Sequence, residues 1–328
     1  MKSIVRPSLQ RSARFRFLTA LALVMSLSPA VFASTAAPPA FSGEKTLWHG
    51  FSRYDFVMDD ESLAITPFKS PANEGDGVGA PEAGKHRCVI VVPDQSAPGN
   101  PWSWRGCYWN HQPQAEMELL KHGFCIAYIS AGATLRPGKQ WDAWYAFLTG
   151  HGLSAKPAFV GMSRGGEFAY TWATSHPDEV SCIYADNPYV PPEILMKLGL
   201  LANNDVPLLH VCGSLDPLLG NSSTAVENIY QQFGGRISVM IKDGFAHHPH
   251  SLPDPKPIVD FMVRSVGETA PLPPGFVGDK FVKTHFYGVE NLYRYFPEER
   301  ADITCRGPMF TPCYDRYQFG AHQFPGAG

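Results

Sequence analysis

Between residues 88 and 266 short, mostly apolar runs alternate with longer stretches whose apolar residues recur on a helical period. Cys88 to Val92, Phe124 to Ile129, Ala158 to Val160, Val180 to Tyr184, Leu208 to Cys212 and Ile237 to Ile241 have the pattern of strands buried on both faces. Glu116 to Lys121, Trp141 to Leu148, Glu167 to His176, Thr224 to Phe233 and Ile258 to Val266 read as the helices between them. Strands that alternate with helices imply right-handed crossovers and a mostly parallel sheet. Upstream, Tyr54 to Val57 and Ser62 to Thr66 predict a hairpin. Pro191 to Ala202 has room for one short helix, so any lid before the strand at Leu208 is minimal and the site beneath it open.

One junction in this pattern carries chemistry. Gly161-Met162-Ser163-Arg164-Gly165-Gly166 lies between the strand ending at Val160 and the helix beginning at Glu167. Strand, G-x-S-x-G, helix is the context of a nucleophile elbow, a sharp turn that lifts a serine hydroxyl above the sheet. Such a serine needs a base, and the base needs an orienting carboxylate. Asp216 follows the strand Leu208 to Cys212 in Gly213-Ser214-Leu215-Asp216-Pro217, and His247 follows the strand Ile237 to Ile241. Ser163, Asp216 and His247 therefore project from loops on one carboxyl edge of the sheet, where open α/β folds place their sites. His248 is an alternative base and Asp186, at the end of the preceding strand, an alternative acid.

On the elbow, the GSLDP acid loop and the GFAHH histidine loop the chain resembles an α/β-hydrolase fold serine hydrolase, over roughly Val89 to Val266. PWSWR (Pro101 to Arg105), GMSRGG and HHPHSL (His247 to Leu252) are together similar to secreted bacterial esterases and prolyl-oligopeptidase-like hydrolases. The resemblance implies an acyl-enzyme mechanism but does not specify the substrate; the expected substrate is an ester, an acyl or acetyl group on a carbohydrate. The alternatives are a prolyl-oligopeptidase-like peptidase and a non-catalytic glycan-binding protein on the same fold. It also implies two backbone N–H donors for the oxyanion. Arg164, directly after the nucleophile, supplies one, and Trp104 or Arg105, from the loop after Val92, the other. Arg105 and Arg164 are also candidates to meet a substrate carboxylate.

Trp102, Trp104, Trp109, Trp141 and Trp144 gather near the expected site loops and read either as packing or as a platform for sugar rings. The run His247, His248, His250 has no carboxylate or cysteine at ligand spacing beside it, so no metal and no cofactor is expected.

Composition changes this picture little, but the N-terminus changes it more. Arg11, Arg14 and Arg16 precede the apolar Phe17 to Met25, and Val31-Phe32-Ala33 offers a small-residue cleavage site. Residues 1–33 thus read as an export signal, too short in its apolar core for a membrane anchor. Residues 34–48 read as a flexible leader, 49–268 as the catalytic domain and 269–328 as an aromatic-rich extension packed upon it. The expected location is secreted or periplasmic. A net charge of −3 argues against nucleic acid as a partner and leaves a small-molecule or polysaccharide ester. The oligomeric state is open. In an oxidising compartment Cys305 and Cys313 are the best disulfide candidates, with Cys107 and Cys88 a weaker pair.

Overall fold

The computed structural model describes residues 37–69, 82–131 and 136–267, and the backbone of 282–286 and 289–295. Its sheet contains β1 (Thr46–Trp48), β2 (Phe51–Asp59), β3 (Ile65–Phe68), β4 (Lys85–Val92), β5 (Trp102–Arg105), β6 (Cys125–Ile129), β7 (Ala158–Met162), β8 (Cys182–Asp186), β9 (Leu208–Gly213), β10 (Ile237–Lys242), β11 (Val282–Phe286) and β12 (Val289–Tyr295). Along the sheet the order is β1-β2-β4-β6-β5-β7-β8-β9-β10-β12-β11, with β3 added to β2. β4 is antiparallel to β2 and β6, and every neighbouring pair from β6 to β10 is parallel.

Parallel neighbours require crossovers. These carry α1 (Gln114–Lys121), α2 (Lys139–Gly150), α3 (Arg164–Ser175), α4 (Pro192–Leu195), α5 (Leu198–Ala202) and α6 (Ala225–Gln232), and α7 (Lys256–Val266) follows β10. A sheet of this order, antiparallel at β4, exchanged at β6 and β5 and parallel to β10, is an α/β-hydrolase fold. The strands read as continuous apolar runs because both faces are covered. Cys88, Ile90 and Val92 of β4 join one core with Trp104, Phe159 and Ile183, while Val89 and Val91 join the other with Ile126, Val160 and Val211.

The structure departs from the sequence reading in three places. Trp102 to Arg105, expected in a loop, is β5 at the centre of the sheet. Its alternation sets both indoles on one face, where Trp104 stacks on Trp141 and Phe159 with ring centroids 4.7 and 5.2 Å away. The leader is not free from residue 37 onward, because Phe41 is buried against Phe56 and Phe147 and stacks on His151 at 5.1 Å. Between β8 and β9 there are two short helices, α4 and α5, instead of one.

β12 pairs antiparallel with β10, which sets this part of the C-terminal extension on the edge of the sheet. The export signal at 1–33, the aromatic side chains of the extension and the Cys305–Cys313 pair lie outside the described residues. Cys88 and Cys107 are both free thiols, so the weaker pairing is absent. Cys88 is locked in the middle of β4, its thiol pushed well up by burial.

Candidate active site

β7 delivers Ser163 with φ 50° and ψ −120°, a backbone conformation that L-residues rarely adopt. Strain of this kind costs on the order of 1–3 kcal/mol and persists where the surroundings enforce it. Here they do. A Cβ on Gly161 would fall 2.9 Å from the Gly165 carbonyl oxygen, and one on Gly166 would fall 2.5 Å from Pro188 Cβ. The bare glycines let β7 and α3 cross this closely. The Ser163 carbonyl accepts from Gly166 N–H and Tyr189 N–H, both at 2.9 Å, which fixes the turn from two sides.

His247 comes from the loop after β10 and stands over the serine. Its Nε2 lies 2.9 Å from Ser163 Oγ, and its Nδ1 lies 3.1 Å from Asp216 Oδ1. Asp216 is fully buried, and the same Oδ1 accepts from Leu218 N–H at 3.0 Å. A carboxylate only accepts, so His247 holds its proton on Nδ1 and turns the Nε2 lone pair to the serine.

The other two candidates stand elsewhere. His248 is exposed beside this chain of hydrogen bonds, with its pKa lowered by burial and then by His250, His247 and His111. Asp186 is buried and turned to His250, whose Nδ1 is 3.0 Å from Oδ1. Burial would raise the Asp186 pKa, but Lys242 and His250 outweigh it and hold the carboxyl below its usual range. Asp186 also accepts from Tyr184 OH at 2.7 Å and Ser251 N–H at 2.9 Å, so it anchors the histidine loop rather than the base.

Asn187, which the sequence reading passed over, ties the site loops together. Its side-chain amide donates to the His247 carbonyl at 2.6 Å and its Oδ1 accepts from Gly213 N–H at 2.7 Å. The sequence signal is an Asn directly after a strand, a residue type that tolerates the φ of 41° it takes here. Gly213 makes the third side of this junction: a Cβ there would meet the Ala246 carbonyl oxygen at 2.1 Å and that of Phe245 at 2.2 Å. Gly213→Ala is therefore expected to displace the His247 loop and to cost about 1–3 kcal/mol. Thermal melting and turnover should fall together; unchanged values of both would refute the tight junction.

The backbone of Trp104 and Arg105, expected to hold the second oxyanion donor, is taken up in the sheet. Trp104 and Arg105 lie inside β5, in register with Ala127 and Tyr128 of β6 and with Phe159 and Val160 of β7, so their N–H groups belong to the ladder. Gly106 N–H bonds to the Val160 carbonyl at 3.0 Å. The next N–H along the chain is that of Cys107, which sits against the first turn of α3, 3.3 Å from the point a Cβ on Gly165 would occupy. Arg164, by contrast, is exposed at the N-terminus of α3, with its N–H beside the serine.

Nor can Arg105 reach a substrate. It is 1% exposed, pairs with Glu116 and donates to the carbonyls of Cys107, Tyr108 and His111. Burial lowers its pKa to about 10, still far above neutrality. Its work is to shape residues 106–112. Arg105→Met should leave the buried Glu116 without its counter-ion, at about 3–5 kcal/mol. Denaturant unfolding would measure the loss, and a change under 1 kcal/mol would contradict it.

The five tryptophans are core residues, all no more than 2% exposed, which removes them as a sugar platform. Open space lies on both sides of Ser163 instead. A cleft of about 580 Å³ runs past Tyr108, Arg164, Tyr189 and Leu218 to Arg136 and Glu167. A second, of about 420 Å³, is walled by Tyr108, His111, His247, His248 and His250. Burial raises the Glu167 pKa against the pull of Arg136 and Arg164. Arg136 also reaches Glu193 of α4, 3.4 Å away.

Comparison with known proteins gives fold-level likeness only. No family model matches the sequence, and no curated protein matches it. Among solved structures the chain is similar to Est1E from Butyrivibrio proteoclasticus, at 13% identity and a TM-score of 0.44 over 59% of this chain and 100% of that one. It is also similar to a cold-adapted esterase from an Arctic intertidal metagenomic library, at 12% identity and a TM-score of 0.48 over 69% of this chain and 99% of that one.

Proposed function

We propose that this chain is a serine hydrolase that cleaves a carboxylic ester through an acyl-enzyme. The observation that carries the reading is the continuous chain Ser163 Oγ, His247 Nε2, His247 Nδ1, Asp216 Oδ1 on a strained elbow. In the first half-reaction Ser163 Oγ attacks the acyl carbon while His247 Nε2 takes its proton. Negative charge then develops on the former carbonyl oxygen, and the N–H groups of Arg164 and Cys107 receive it. His247 returns the proton to the departing alcohol, and water repeats the sequence on the acyl-serine. Asp216 keeps the imidazole in the tautomer that can act as base and stabilises the cation that forms.

The substrate we propose is an acyl or acetyl ester on a carbohydrate, met outside the cytoplasm after removal of residues 1–33. The cleft supports this reading by its walls: Tyr108, Tyr189, Arg136, Arg164 and Glu167 offer hydroxyl, guanidinium and carboxylate groups to a hydroxyl-rich ligand. The helices α4 and α5 form no large apolar lid of the kind suited to free lipid. Assays with p-nitrophenyl acetate, acetylated polysaccharide and a proline-containing peptide test the proposal. Ester cleavage with release of acetate from the polysaccharide is expected; cleavage of the peptide alone would overturn it.

A further inference from the structure

Two loops bring three imidazoles together on the wall of the cavity beside Ser163. His111, from the segment after β5, and His248 and His250, from the loop after β10, each offer one ring nitrogen, and these nitrogens lie within 4.8 Å of one another. All three rings line the cavity that also holds Ser163 and His247. No reading of the run 247–250 alone finds this set, because His111 comes from far earlier in the chain.

Their supports are those of metal ligands. His250 is 1% exposed, and its Nδ1 faces the buried carboxylate of Asp186 at 3.0 Å. The other oxygen of Asp186 accepts from Tyr184 OH at 2.7 Å and Ser251 N–H at 2.9 Å, so the carboxylate faces His250 Nδ1 as an acceptor and leaves Nε2 as the ring nitrogen turned away from it. A carboxylate behind an imidazole is the common means of fixing a ligating histidine's tautomer and raising its basicity. The His111 loop is held in turn by Arg105, which takes the His111 carbonyl, and by Gln112, whose Oε1 accepts from His250 N–H. His248 alone is exposed, so its ring can turn inward. Zn–N bonds of about 2.0–2.1 Å in a tetrahedron set the nitrogens roughly 3.4 Å apart. The three nitrogens lie within 4.8 Å of one another as they stand, so they need approach by no more than about 1.4 Å to reach that spacing.

We propose that His111, His248 and His250 form a site for a divalent transition metal of the zinc class, with the fourth coordination position open to the cavity. Three imidazoles suit zinc, copper or nickel and disfavour magnesium and calcium, which take oxygen ligands. Binding does not depend on the hydrolytic reading, since these groups would hold a metal whether or not Ser163 is acylated.

The test is metal titration of the full chain after treatment with a chelator. Cobalt(II) should bind with one equivalent and give the intense visible bands of a four-coordinate site, and azide should shift them by taking the open position. Zinc should displace cobalt with the same stoichiometry. His111→Ala and His248→Ala should each weaken zinc at least ~10-fold, and Asp186→Asn about 10–100-fold by freeing the His250 tautomer. Ser163→Ala should leave zinc affinity unchanged, which separates this site from the acyl-transfer machinery. Absence of saturable binding, or equal affinity in wild type and both histidine variants, would overturn the proposal.

Discussion

Ser163→Ala should abolish turnover of p-nitrophenyl acetate, a loss of about 10³-fold or more, while the protein melts within a few degrees of wild type. Replacing Oγ removes the atom that forms the acyl bond, and among the described contacts His247 Nε2 meets no other hydroxyl. The next hydroxyl groups on the cleft wall belong to Tyr108 and Tyr189, and neither meets an imidazole among the contacts described. The hydrogen bond of 2.9 Å that disappears lies at the cleft surface, where water can replace it, so little stability goes with it. Alanine also relieves no strain, because its Cβ must still sit at φ 50°. A fluorophosphonate probe should label wild type at Ser163 alone and leave the variant unmodified. Activity within tenfold of wild type in the variant, or resistance of folded wild type to the probe, would sink the hydrolase reading and favour a binding protein on this fold.

The elbow is legible in the sequence because its physical demands are local. Residues without Cβ are needed where a side chain on β7 would meet the Gly165 carbonyl at 2.9 Å and one on α3 would meet Pro188 at 2.5 Å, and Gly161 and Gly166 stand at those points. The long parallel strands are legible for the opposite reason, since burial on both faces leaves uninterrupted apolar runs such as Cys88 to Val92. β5 hides because it is short and polar at every second position: Ser103 and Arg105 are buried too, but Arg105 only because Glu116 and three carbonyls receive it. The same guanidinium misleads a reading of function, for an arginine near a site suggests a ligand for anions until its partners are seen. Oxyanion donors are backbone groups, so no residue type marks the one proposed at Cys107. His111 escapes notice because it joins its partners only through the crossing of two distant loops. The choice between Asp186 and Asp216 is likewise one of three-dimensional register, since both follow strands that end at the same edge of the sheet.

That choice yields the second large effect. Asp216→Asn should lower kcat about 10⁴-fold with KM little changed, and His247→Ala should do at least as much. In wild type Asp216 Oδ1 accepts from His247 Nδ1 at 3.1 Å, which leaves Nε2 as the acceptor facing Ser163. Asparagine can present its NH2 to Nδ1 and stabilise the other tautomer, whose Nε2 carries the hydrogen and cannot take a proton from the serine. Asp186→Asn acts on a different imidazole. It loses the ionic partner of Lys242, 3.5 Å away, and loosens His250, so its effect should fall on unfolding free energy and cost kcat far less than Asp216→Asn does. Steady-state kinetics and denaturant unfolding on the two asparagine variants separate the roles cleanly. A collapse of kcat in Asp186→Asn with Asp216→Asn still active would move the acid to β8 and require His247 to turn from the partner it has here.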